Sequence, residues 1–350
     1  MSWKKECASS LRSLEELEKK IQLSGDEREY FSAKHESFRC AVPSSYLSLI
    51  GDSRNDPIRL QSIPRIDELN VKSYECTDPL GEEPYKVTDR LIHRYRDRAL
   101  FLVTDTCAMY CRHCFRRNFT GRHEGPAQDK EVEAAVNYVS SHPEITEIIF
   151  SGGDPLMLDT MVLEEYLARF KAVRSSLVLR VGTRMPVVMP SRIDAALVSM
   201  LSEYKPMFVM TQFNHPRECT AESMKAVSTL VDAGIPVLNQ AVLLKNINDN
   251  ADTLETLFHC LVRNRIKPYY LFQGDLAPGT SHLRASLGKG LRIMKELRGR
   301  VSGLALPVYA VDLPCGGGKV PLTEQYITGK TEKGWELTDT SGHTFLYPET

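Results

Sequence analysis

From Phe101 onward, short apolar runs of strand-forming residues alternate with helical stripes, and this alternation limits the fold more than any other feature of the chain. The runs are Phe101–Val103, Ile148–Phe150, Leu177–Val181, Met207–Met210, Val237–Leu244, Tyr269–Phe272 and Leu304–Val311. After the first, longer interval they recur roughly every 30 residues, the length of one βα unit. Between them, apolar residues three and four apart mark helices. One stripe is Val132, Ala135, Val136 and Val139, and a second is Ile193, Leu197 and Leu201. A third, Met224, Val227, Leu230 and Val231, is closed by Gly234 at a C-terminal cap position, and a fourth is Leu254, Leu257, Phe258 and Leu261. Repeated βα units predict a parallel sheet with helices outside. Periodicity does not choose between a doubly wound sheet and a barrel.

The 350 residues, 42% hydrophobic and 25% charged, suffice for one large α/β domain or two smaller ones. A formal net charge of -1 offers neither a basic excess for nucleic acid nor an acidic tail. No apolar run approaches the roughly 20 residues of a membrane span. The opening stretch MSWKKECASSLRSLEELEKK lacks the apolar core of a secretion signal, so export by that route is not expected. Nine cysteines, an odd number, fit a disulfide framework poorly and suit a reducing, cytoplasmic setting. Leu11, Leu14, Leu17 and Ile21 predict an amphipathic surface helix. Residues 51–87 hold Asp, Pro and Gly in short groups and read as loops.

Three segments carry candidate chemistry. Cys107, Cys111 and Cys114 follow the first apolar run in a C-x3-C-x2-C spacing. A four-iron cluster ordinarily takes four thiolates, one per iron, so three leave one iron open to another ligand. An open metal position is a mark of chemistry rather than of structure. The alternative is a structural zinc site with His113 as a fourth ligand, but such sites usually pair two separated halves, and no second half is visible.

Ser151-Gly152-Gly153-Asp154-Pro155 follows the second run. Glycines let backbone approach a ligand closely and a carboxylate can take an ammonium group, although a plain tight turn explains the same residues. Pro314-Cys315-Gly316-Gly317-Gly318-Lys319 follows the last run. It is not a phosphate loop, because Leu313 stands where the first Gly should be and Val320 follows the Lys. It is either a flexible turn or a device that lets an amine reach a carbonyl cofactor, since lysine forms Schiff bases with pyridoxal phosphate. Asp275 and Asp312 stand near strand ends, where surface aspartates are also common.

The cysteine motif after a strand, within HRYRDRALFLVTDTCAMYCRHCFRR, resembles the lysine 2,3-aminomutase family of radical S-adenosylmethionine enzymes. The similarity runs from about Asp89 to Lys319. It implies an α/β fold, a partial (β/α)6 TIM-type barrel with an N-terminal helical cap. Residues 1–95 would form the helical and irregular cap, 96–319 the barrel with its pyridoxal site, and 320–350 a C-terminal tail. The resemblance further implies a [4Fe-4S] cluster on Cys107, Cys111 and Cys114, and S-adenosylmethionine on Ser151, Gly152, Gly153 and Asp154. Pyridoxal phosphate would be attached to Lys319 and contacted by Arg94, Arg98 and Gln240. Arg116 would take the substrate carboxylate, and Asp275 with Asp312 the distal ammonium of lysine. Gln212 stands where the family has a histidine.

The implied reaction interconverts L-α-lysine and L-β-lysine: a 5′-deoxyadenosyl radical takes hydrogen from C3 and the amino group moves from C2 to C3. Its electron would come from a carrier such as flavodoxin or ferredoxin. Alternatives are a lysine aminomutase serving translation-factor modification, a 2,3-aminomutase for arginine or glutamate, and an iron–sulfur electron carrier of a different class. A carrier would not need the Gly-Gly-Asp segment, Lys319 or the aspartate pair. Zinc is not expected, because no cysteine follows Cys315 and Asn250 occupies the family's partner position. A homo-oligomer stays open.

Overall fold

Ten strands lie in one sheet in strict chain order. The computed structural model describes residues 2–33, 38–121, 125–323, 326–339 and 341–348. β1 (Lys86–Thr88) and β2 (Leu91–Tyr95) form an antiparallel edge. The next seven strands are mutually parallel: β3 (Arg98–Thr104), β4 (Glu147–Gly152), β5 (Val178–Gly182), β6 (Met207–Thr211), β7 (Val237–Leu243), β8 (Ile266–Gln273) and β9 (Val308–Leu313). β10 (Gly318–Pro321) turns back antiparallel on β9.

Parallel neighbours joined in sequence order need crossovers of one hand, so their helices fall on one face and the sheet curls. Helices Asp129–Ser141, Thr160–Val173, Ala195–Glu203, Ala221–Asp232, Ala251–Arg263 and Leu287–Arg300 lie in these crossovers, after β3 to β8. This is the partial (β/α)6 barrel. Its two edges, β1 and β10, are not paired to each other.

Burial alternates along β4, β5 and β7 and over parts of β3 and β8. Phe101, Ile148, Phe150, Leu179, Val181 and Leu271 are buried, while their neighbours Leu100, Ile149, Ser151, Arg180, Gly182 and Tyr270 line an inner cavity. Over these stretches a two-residue period splits the strand into a helix-facing set and a cavity-facing set.

Several sequence expectations shift. The amphipathic helix through Leu11, Leu14, Leu17 and Ile21 is broken, because Leu11 bridges to Val42 and Ser13 starts a new short helix, Leu14–Glu18, with a capping box to Glu16. The segment expected to be wholly helical and irregular ends in β1 and β2. The last strand begins at Val308 rather than at Leu304, which is exposed. Helices Thr160–Val173 and Leu287–Arg300 escaped the stripe reading; the second carries three glycines, which weaken its helical signal.

Buried ion pairs seat the N-terminal cap on the barrel. Glu68 receives Arg112 Nε at 2.8 Å and Nη2 at 2.6 Å, and Arg117 Nη2 at 2.8 Å. Burial alone would raise the Glu68 carboxyl, but the two guanidiniums outweigh it and hold it below its ordinary range. Glu68→Gln is expected to lower the unfolding free energy by about 3–5 kcal/mol, measured by urea denaturation near neutral pH. The carboxyl's folded-state value is depressed, so its contribution is complete above the ordinary 4.5 and fades as pH falls below it. The gap between wild type and variant should therefore close in acid.

Candidate active site

The inner face of the sheet encloses a cavity of about 620 Å³, within the size range of small-molecule sites. The cysteine loop, the glycine loop after β4, Arg116, Gln240, Asp275, Asp312 and Lys319 all line it. Residues as far apart as 94 and 319 in the chain thus face one space.

The cysteine loop is shaped by a residue aimed away from the cavity. Arg112, between Cys111 and His113, is fully buried. It donates to the carbonyls of Arg39 at 2.6 Å and Phe38 at 3.3 Å as well as to Glu68. With that side chain fixed outward, the three thiols line the cavity. Burial and the neighbouring thiol of Cys114 push the Cys107 thiol well up, and burial with Cys111 pushes Cys114 to about 11. Such thiols stay protonated until a metal cation deprotonates them. Among the described residues, no three His, Cys, Asp or Glu side chains form a group that could hold a single ion. One thiolate per iron, spread around a cluster, suits this donor set.

Arg184, just past β5, points Nη1 at Cys111 Sγ from 2.8 Å. Its Nη2 is held by Gln61 Oε1 at 2.6 Å and Glu218 Oε1 at 2.7 Å. Hydrogen bonds to cluster-binding sulfurs tune such centres. Gln212 takes up the position in question by meeting His113 Nε2 at 3.0 Å. His113 Nδ1 is buried without a hydrogen-bond partner among the described residues, and burial pushes the ring well below its ordinary value, so the imidazole is neutral.

Gly152 and Gly153 are demanded by close packing. Gly152 has φ +119°, and a Cβ there would sit 2.3 Å from the Thr104 carbonyl oxygen; one on Gly153 would sit 2.3 Å from that of Thr106. The glycine loop is thereby pressed against the start of the cysteine loop. Asp154 differs from the expected free carboxylate. It accepts from Leu156 N at 3.0 Å, Thr183 Oγ1 at 2.7 Å and Arg184 N at 2.8 Å. Its charge is spent on joining the ends of β4 and β5 rather than offered to a ligand's ammonium.

Lys319 lies directly opposite Asp312 in the β9–β10 hairpin. Its Nζ is 2.6 Å from Asp312 Oδ2 and 4.0 Å from the Phe272 ring centroid. Its backbone N–H donates to Tyr95 Oη at 3.1 Å. The Arg98 and Arg94 guanidiniums lie 4.0 and 5.5 Å from the same Tyr95 ring. Arg94 Nη2 is buried with no partner among the described residues, a donor left over for an anion. Lys319 and the two arginines are thus joined through Tyr95, and Gln240 faces them from β7.

Asp275 lies two residues beyond β8, its carbonyl held by Arg284 Nε at 3.1 Å and Nη2 at 2.9 Å. Burial, and then the Asp312 carboxylate, push its carboxyl to about 7, with Lys319 easing the shift. Arg116 does not face the cavity alone: both terminal nitrogens are forked by Glu82. Glu82, Arg184, Tyr95 and the Arg180–Glu147 pair at 2.7 Å were all absent from the sequence reading. Glu82 sits in a stretch with no periodicity, and only contact geometry reveals it.

A carboxyl raised in the fold withholds stability. The loss is nil below the ordinary 3.8, grows as pH rises toward about 7, and is constant above. In protein prepared without cofactors or lysine, Asp275→Asn is expected to raise stability at pH 8 by on the order of 1 kcal/mol or more. The gain at pH 4 should be close to zero, and thermal melts at both pH values check it.

Two family models match the chain: Radical SAM superfamily over residues 101–257 and Lysine-2,3-aminomutase over 294–350. The L-lysine 2,3-aminomutase of Acetoanaerobium sticklandii is 40% identical over 348 residues, 99% of this chain and 84% of that protein. The Bacillus subtilis L-lysine 2,3-aminomutase is 40% identical over 99% of this chain and 74% of its own length. The glutamate 2,3-aminomutase of Clostridioides difficile is 40% identical over 330 residues, 94% of this chain and 78% of that protein.

Proposed function

Because the chain belongs to the lysine 2,3-aminomutase family of radical S-adenosylmethionine enzymes, we propose that its cavity interconverts L-α-lysine and L-β-lysine through the residues described above. The protein is an isomerase of free amino acids that uses a [4Fe-4S] cluster, S-adenosylmethionine and pyridoxal phosphate. When bound, these groups supply a carbon radical that takes hydrogen from the substrate and a carbonyl partner on which its amino group can migrate.

The chain's own part is binding, orientation and exclusion of water. Cys107, Cys111 and Cys114 would hold the cluster, with Arg184 fixing the Cys111 sulfur. Ser151, Gly152 and Gly153 would cradle S-adenosylmethionine, Asp154 holding that turn from behind. Lys319 would carry pyridoxal phosphate, with Arg94 and Arg98 for its phosphate and Gln240 across the cavity. Arg116 would take the substrate carboxylate in the fork geometry that guanidinium offers. Phe272 and Tyr270 would pack against the bound carbon skeleton and keep water out.

One observation carries the choice of lysine. Asp275 and Asp312 face the same cavity, the Asp312 carboxylate is close enough to push the Asp275 carboxyl up, and Asp312 already holds the alkylammonium of Lys319 at 2.6 Å. The glutamate enzyme is as similar overall as the lysine enzymes, but an acidic side chain would meet two carboxylates. A reduced flavodoxin or ferredoxin would supply the electron, and the cytoplasm suits both cluster and free thiols. No helix among the described residues is long and apolar enough to cross a membrane.

Asp312→Asn and Asp275→Asn are each expected to lower kcat/KM for lysine roughly 30- to several-thousand-fold, the effect of unpairing a desolvated charge. Replacing Asp275 with Lys and Asp312 with Asn together should shift preference toward glutamate in a competition assay. Near-normal lysine turnover in both single variants would remove the basis for the lysine assignment. Borohydride reduction of pyridoxal-loaded protein, followed by peptide mapping, should place the adduct on Lys319; an adduct on another lysine would refute that role.

A further inference from the structure

Glu82 is the one cavity-lining carboxylate contributed by the loop before β1, and it stands against the residue assigned to the substrate carboxylate. Arg116 donates from Nη1 to Glu82 Oε2 at 2.6 Å and from Nη2 to Oε1 at 2.8 Å. Both side chains line the cavity and are mostly shielded, with 11% and 20% of their surface exposed. A guanidinium has five N–H donors in a fixed plane. An end-on fork uses one from each terminal nitrogen and leaves the edge formed by Nε and a second Nη hydrogen.

The loop that bears Glu82 is held independently of Arg116. Asp78 accepts from the Glu82 N–H at 2.8 Å and from the Glu83 N–H at 3.0 Å. The Leu80 carbonyl accepts from Arg94 Nη1 at 2.9 Å, and the Thr77 carbonyl from Asn118 Nδ2 at 2.7 Å. Gly81, at φ +63°, lies so close to the lysine loop that a Cβ would fall 2.3 Å from Gly316 N. With the backbone of its loop fixed at this many points, the Glu82 side chain reaches Arg116 from a set position and so orients its guanidinium.

We propose that Glu82 is a positioning residue for the substrate: it grips Arg116 by its terminal nitrogens and thereby aims the Nε edge of the guanidinium at the substrate carboxylate. The inference rests on the reading of Arg116 as the carboxylate-binding residue. It adds to substrate choice as well. Glu82 offsets the charge of Arg116, so an amino acid with a second carboxylate would meet three carboxylates, Glu82, Asp275 and Asp312, in the same cavity.

Glu82→Gln keeps the shape and removes the charge. In the fully loaded enzyme it is expected to raise KM for lysine roughly tenfold or more, as loss of an orienting outer-shell group does. The change in kcat should be smaller. Lysine affinity by calorimetry on pyridoxal-loaded protein should weaken in parallel, while iron content, pyridoxal content and Tm stay at wild-type values. Glu82→Asp, which keeps the charge, should recover part of the loss. Unchanged KM and affinity, or tighter lysine binding, would overturn the proposal, the second by making Glu82 a competitor of the substrate. Lowered Tm and cofactor content at unchanged KM would reduce Glu82 to a structural brace and overturn it equally. Arg116→Lys separates the two levels: if KM is unmoved there, the carboxylate reading of Arg116 fails. If KM rises in Arg116→Lys but not in Glu82→Gln, only the role of Glu82 fails.

Discussion

The buried carboxylate of Glu68, shared by Arg112 and Arg117, is the contact on which the site depends. It belongs to the cap, while both guanidiniums belong to the cysteine loop. An arginine placed between two cysteines has to leave the metal-facing side. Here it is drawn away by a fully buried anion and by carbonyls of the cap. Removing one partner from such a cluster leaves an uncompensated charge in a low-dielectric interior, which is why the arrangement is hard to distort. The cap is therefore a mould for the cysteine loop, and its lack of obvious chemistry in sequence conceals that role.

Charges of both signs line the cavity. Arg94 and Arg98 lie near Tyr95, Lys319 lies against Asp312, Asp275 stands close by, and Arg116 is joined to Glu82. Each cation is placed against an anion or an aromatic face, so the lining is stable without being neutral at every point. The exceptions mark binding capacity. Asp275 is pushed to about 7 by burial and by the Asp312 carboxylate, and Arg94 Nη2 has no acceptor among the described residues. A cationic side chain and an anionic phosphate are the ligands those two groups would stabilise.

Much of this was legible in the order of residues. The seven apolar runs became seven parallel strands because a fully covered strand face needs an unbroken apolar set at every second position. The cysteine spacing, the Gly-Gly-Asp turn and the GGGK segment each end a strand or follow one, and the barrel brings all of them to one cavity. Local patterns failed where a distant partner decided. Leu11 left its helical stripe to bridge Val42, Asp154 turned inward to Thr183 and Arg184, and β1 and β2 formed from residues with no strand signal because an open edge was there to pair with.

The amino-acid sequence by itself determined the repeating βα architecture, the thiol trio and the lysine after a glycine run, because these depend on period and spacing along one segment. Only the tertiary structure decided that Glu82 holds Arg116, that Arg184 reaches Cys111, and that Lys319 is paired with Asp312. The Glu82–Arg116 and Arg184–Cys111 pairs join segments 34 and 73 residues apart, and Lys319 meets Asp312 only because the β9–β10 register sets them opposite each other. Electrostatic interaction falls with distance in space rather than along the chain, so such pairs exist only once the barrel has closed around them.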